Sequence, residues 1–173
     1  MSDLATVSHA NAASVSAKVP SLLDIGYGNP SHGDDAIGRQ VTVMVRELGL
    51  HNVEVCAVER LTPELSSKLA TVDYAVFVDA CLMKGDDIRF SPLVTCGLET
   101  AGSSVPGWGL SLHPCSLLAL TQSLYCRHPR SWWMEVAAEN FAYGQQLSAR
   151  ARQGIQNALE QILALIAEQK IGK

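Results

Sequence analysis

The run Tyr74-Ala-Val-Phe-Val78, closed by Asp73 on one side and Asp79 on the other, constrains this chain more than any other segment. Five successive apolar residues with no polar alternation cannot leave one side in water. They predict a strand covered on both faces, the situation of a central strand in a parallel sheet. Such a strand needs helices above and below it, so the rest of the sequence must supply them.

It does so by alternation. Residues 22–27 form a short apolar run, followed by a glycine-rich turn. In 34–48, Ile37, Val41, Met44, Val45 and Leu48 recur at helical spacing. A β-branched segment at 52–58 leads to Thr62-Pro63-Glu64, which predicts a helix start with Thr62 as N-cap and Pro63 at the first helical position. Residues 88–94 predict a weaker edge strand and 97–109 a loop rich in Gly and Ser. A helix over 113–125 admits Pro114 in its first turn, 132–136 returns to strand character, and 148–168 is a long amphipathic helix. The fold class implied is α/β, a three-layer αβα sandwich around a twisted, mostly parallel sheet. Sites in such folds lie at the carboxyl ends of the strands, near the topological switch point.

With 173 residues there is room for one domain and a tail. The expected division is an N-terminal extension over 1–20, rich in Ser and Ala, and a single domain over 21–170. The extension lacks both the apolar centre of a secretory signal and the arginines of a transit peptide. No apolar run is long enough to span a bilayer, so no membrane partner is expected. Thirteen basic against 17 acidic residues, with no basic cluster, argues against nucleic-acid binding. The cysteines (Cys56, Cys81, Cys96, Cys115 and Cys126) are odd in number and scattered, which suits reduced thiols in a cytoplasmic protein better than a disulfide framework.

Three places could carry chemistry. The turn 26–38 reads GYGNPSHGDDAIG, and its glycines do not follow the dinucleotide pattern, nor is there a P-loop lysine. Asp34 and Asp35 stand at the helix start, where a phosphate would have to sit, and two carboxylates there suit a cation, so no nucleotide cofactor is expected. Asp34 could also serve simply as the helix cap. Asp79 follows the apolar run, either as a cap for the next segment or as a site residue. His113 opens a helix after the glycine-rich loop, in a structural or a functional role. Together, Asp35, Asp79 and His113 make an open set of two carboxylates and one imidazole, able to hold a divalent metal with positions left for substrate or water.

The segments GYGNPSHGDDAIG, VFVDA (76–80) and SLHPCSLLAL (111–120), with ENFAYGQQLS (139–148) after them, resemble in order and spacing the maturation endopeptidases of nickel–iron hydrogenases. The resemblance runs over 21–167. It implies a metal-dependent endopeptidase that removes the C-terminal extension of a nickel-loaded large-subunit precursor, the nickel being supplied by that substrate. Asp35, Asp79 and His113 correspond to the family's metal-contacting residues, in catalytic and metal-binding roles. Asp35 or Asp34 is the alternative general base. The segment 59–65 (ERLTPEL) resembles the form found in proteases serving bidirectional, NAD-coupled hydrogenases. Cys115, two residues after His113, departs from some relatives and is expected to pack, with ligand or nucleophile as the alternative. Trp108, Trp132 and Trp133 are candidate anchors for a protein substrate, against a core role for Trp133. The rival reading is a non-catalytic metallochaperone or precursor-binding module on the same fold.

Overall fold

In the computed structural model, residues 19–85, 87–95, 112–144 and 146–172 are described. The expected extension (1–20) falls outside them but for its last two residues, and the 97–109 loop with Trp108 falls outside them entirely. Among the described residues, five strands and four helices follow in the order β1 (Leu22–Tyr27), a 3-10 turn (Gly33–Ala36), α1 (Ile37–Glu47), β2 (Val53–Val58), α2 (Leu65–Leu69), β3 (Tyr74–Leu82), β4 (Ile88–Leu93), α3 (Pro114–Tyr125), β5 (Arg130–Ala138) and α4 (Ala149–Glu168). The sheet order is β2-β1-β3-β5-β4. All neighbours pair in parallel except β4, which runs antiparallel along the edge.

β3 is central, as its unbroken apolar run requires. Its residues divide between two cores by the two-residue period of a strand. Val76 and Val78 join Ile37 and Val41 of α1 and Ile155 and Ile162 of α4. Ala75 and Phe77 join Leu65 and Leu69 of α2 and Leu117 and Leu118 of α3. The sandwich therefore has α1 and α4 on one face and α2 and α3 on the other. The expected Thr62 cap is not used: Thr62 and Pro63 form a turn whose carbonyls accept from the N–H groups of Leu65 and Ser66, and α2 begins only at Leu65.

Helix α1 lies against the sheet backbone to backbone. A β-carbon on Gly26 would fall 1.9 Å from the Gly38 carbonyl oxygen, and one on Gly38 would fall 2.3 Å from the Val78 oxygen. Only hydrogen fits at either position, so these glycines set how closely α1 approaches β1 and β3. Gly38→Ala is expected to cost roughly 3 kcal/mol, the overpacking of a closed interface. A urea midpoint that falls at unchanged slope would show it, and an unchanged midpoint would refute the close approach.

Asp24, in the middle of β1, is fully buried, and neither of its carboxylate oxygens closes a hydrogen bond. Burial pushes its pKa up to about 7, tempered by the hydroxyl of Thr42 on α1. The unfolded chain loses this proton near pH 4 while the folded chain keeps it to about 7, so the unfolded state binds fewer protons in between. Stability should fall as pH rises through that window and level off above it, by a few kcal/mol in order of magnitude. Asp24→Asn is expected to flatten this slope in urea titrations at pH 5 and pH 8.

Candidate functional site

The chain leaves β1 towards β2 on one side and returns to β3 on the other, so the carboxyl ends of β1 and β3 border the switch point. Pairing between β1 and β3 stops at Gly26↔Val78, whereas β3 and β5 stay in register to Leu82↔Ala138. Asp79 was expected to end its strand. Instead it lies within β3, at the first residue past its ladder with β1. By strand parity it faces the α2–α3 side, like Phe77 two residues earlier. Its register partner on β5 is Glu135, which in turn pairs with Arg89 on β4.

The loop after β1 brings Asp35 to the same edge. Gly28 has φ +133°, and a β-carbon there would meet the Asp35 carbonyl at 1.9 Å, so the loop folds tightly onto Asp35. The Asn29 N–H donates to Asp35 Oδ2 at 2.7 Å.

Asp34 has a different task. It is completely buried, and its carboxylate accepts from the N–H groups of Glu139 (2.8 Å), Asn140 (3.1 Å) and Ser148 (2.7 Å). Its own N–H donates to the Asn140 carbonyl at 2.8 Å. Asp34 thus does not cap its helix. It ties the loop after β1 to the 139–148 segment, which explains why that segment and the Asp-Asp pair occur together. Burial works against its charge, but the backbone donors outweigh it and hold its pKa below the usual carboxylate value. This contribution to stability is present above about pH 4 and is lost as pH falls through the lowered pKa. Asp34→Ala strands three backbone donors and is expected to cost roughly 3–5 kcal/mol. Thermal melts at pH 7 and pH 3 check it, since the gap between variant and wild type should shrink in acid.

Electrostatically, Asp79 and Tyr27 are both strongly perturbed at this edge. Burial pushes its pKa up to about 7, and the charges of Asp35 and Glu135 add to this, while the Tyr27 hydroxyl and the Ala80 N–H stabilise its anion. Ala80 N–H donates to Asp79 Oδ1 at 2.8 Å. Tyr27, the last residue of β1, is buried, and burial first and the Asp79 carboxylate second hold its pKa well above the ordinary value. Glu135, 9% exposed in its side chain, forms an ion pair with Arg89 at 3.1 Å.

His113 is the N-cap of α3, its Nδ1 accepting from the Cys115 N–H at 3.2 Å. Its ring meets the edge of Trp133 with 4.8 Å between centroids. Burial lowers its pKa, opposed by the charge of Glu135. Asp35 and Asp79 therefore share one electrostatic environment, and His113 reaches it through Glu135 and Trp133. Among the described residues, no three His, Cys, Asp or Glu side chains are gathered closely enough to hold a metal ion. The two aspartates and the histidine are not a preassembled ligand set.

Glu135, Tyr27 and Arg89 were missed from sequence. The signal for Glu135 was present: it is the one charged residue inside the otherwise apolar run from Trp132 to Ala138. Of the tryptophans, Trp132 is buried against Tyr74 and Phe90 and is core, not an anchor. Trp133 lies at the site under His113.

The architecture and this edge define a three-layer α/β protein with an acidic cluster at its switch point. Solved structures of the same fold include hydrogenase maturation proteases. The chain superposes on HycI of Thermococcus kodakarensis KOD1, a nickel–iron hydrogenase maturation protease, with a TM-score of 0.67 and 21% identity, covering 87% of this chain and 95% of that one. It also superposes on the hydrogenase maturating endopeptidase HybD of E. coli with a TM-score of 0.64 and 20% identity, covering 86% and 93%. No protein-family model matches the sequence, and no curated protein matches it. No helix among the described residues is long and apolar enough to cross a membrane.

Proposed function

We propose that this chain is an endopeptidase that removes the C-terminal extension of a nickel-loaded hydrogenase large-subunit precursor, with residues 21–170 as its single domain and 1–20 as an extension. The observation that carries the reading is the electrostatic coupling of Asp35 and Asp79 at the switch-point edge, on a fold shared along most of its length with solved hydrogenase maturation proteases. In this reading the nickel is part of the substrate. Asp35, Asp79 and His113 contact it when the precursor docks. Carboxylate and imidazole are both suitable donors for nickel, and the bound ion would polarise the scissile carbonyl or acidify a water. The three backbone N–H groups that hold Asp34 support a structural role for it over that of general base. The 59–65 segment favours a precursor of the bidirectional, NAD-coupled class, in the cytoplasm.

The test is incubation of a nickel-loaded large-subunit precursor with the protein, followed by mass spectrometry of the precursor's C-terminus. Wild type should release the peptide, and Asp35→Ala and His113→Ala should each slow release by about 100-fold or more. Full processing by both variants would remove these residues from the site. Binding of the precursor without cleavage by wild type would instead favour the metallochaperone reading.

A further inference from the structure

A neutral imidazole has one in-plane lone pair, and a nitrogen that accepts a hydrogen bond with it cannot also hold a metal ion. In His113 that lone pair is in use. Nδ1 accepts from the Cys115 N–H, closing the N-terminus of α3. This hydrogen bond assigns the ring proton to Nε2, so the outward nitrogen is a donor. The carboxylates differ in kind. Asp35 and Asp79 each keep spare lone pairs after bonding the N–H groups of Asn29 and Ala80, so both can take a cation without letting go of the protein. Only His113 must choose.

Building on the reading above, we propose that His113 is a two-position residue: a helix cap at rest and a metal ligand when the nickel-bearing substrate arrives, so that seating the metal uncaps α3. Either nitrogen leads to the same end. Ligation through Nδ1 withdraws the lone pair from the Cys115 N–H directly. Ligation through Nε2 requires the ring proton to leave Nε2 and a proton to be taken up at Nδ1, with no net change, and Nδ1–H then faces the Cys115 N–H donor to donor. The cap bond breaks in both cases.

One further observation fits this exchange. The residue before His113, Leu112, donates its N–H to the Leu61 carbonyl at 3.1 Å, so a released α3 terminus pulls on the segment leading into α2. Metal seating would then be felt on the α2–α3 face, and by linkage a weaker cap would bind metal more tightly.

The experiment uses the full chain labelled with nitrogen-15, with Zn²⁺ as a diamagnetic probe that also accepts imidazole. It is repeated in Cys115→Ala, which keeps the backbone N–H and removes the thiol. Without metal, the His113 ring should report the Nε2–H tautomer, and the residue 115 amide should be protected from exchange. With Zn²⁺, the ring should report ligation, and exchange of that amide should quicken by about tenfold or more. His113→Asn keeps a capping oxygen, so its residue 115 amide should stay protected with and without Zn²⁺. A ligated His113 ring with the residue 115 amide still protected overturns the proposal, and so does a ring that millimolar Zn²⁺ leaves unchanged. Uncapping by Zn²⁺ with no cleavage of the precursor would sink the endopeptidase reading alone. Cleavage with the cap intact would sink only the exchange.

Discussion

The close contact of α1 with the sheet is the constraint from which the site follows. Gly26 and Gly38 leave no room for a β-carbon, so the backbones of helix and strands meet directly. That contact fixes where α1 begins and therefore where the loop from Gly28 to Ala36 must run. Two successive aspartates in that loop then diverge. Asp34 turns inward to the backbone of 139–148, and Asp35 remains at the strand edge. A second tie, from Gly144 N–H to the Ser31 carbonyl at 2.8 Å, joins the two loops again. This edge is thus tied to the 139–148 segment by backbone N–H groups gathered around one carboxylate.

Charge is the second organising problem. Asp35, Asp79 and Glu135 stand on adjacent elements, with Arg89 the cation paired to Glu135. The protein manages the repulsion by keeping Asp79 partly protonated near neutral pH and by giving its anion the Tyr27 hydroxyl. A site of this kind repels phosphate, in keeping with the missing nucleotide motifs, and favours a cation that can discharge the retained proton.

Much of this was legible in sequence, for identifiable reasons. The layers and strand directions follow from the apolar run at 74–78 and from helical periodicity, signals that burial itself writes. The positions of Asp35 and Asp79 at one edge follow from connectivity. The length of β3 was not legible, because nothing in Asp79 tells a strand end from the point where one neighbour stops and another continues. The role of Asp34 was hidden because its partners are backbone N–H groups more than a hundred residues away, which no side-chain pattern advertises. Glu135 could have been found by asking why one carboxylate interrupts an apolar strand. Thr62-Pro63-Glu64 misled because a good helix start is equally a good turn.

His113 shows why geometry and composition must be read together. A count of donors finds two carboxylates and an imidazole, and composition would stop at a metal site. Each donor has its own internal partner, and only the imidazole has no lone pair left over. The difference between a resting and a loaded site would then lie in one hydrogen bond at the start of one helix. Under the proposed function, in which the substrate brings the metal, keeping the imidazole engaged elsewhere until then would hold the resting site closed to other ions.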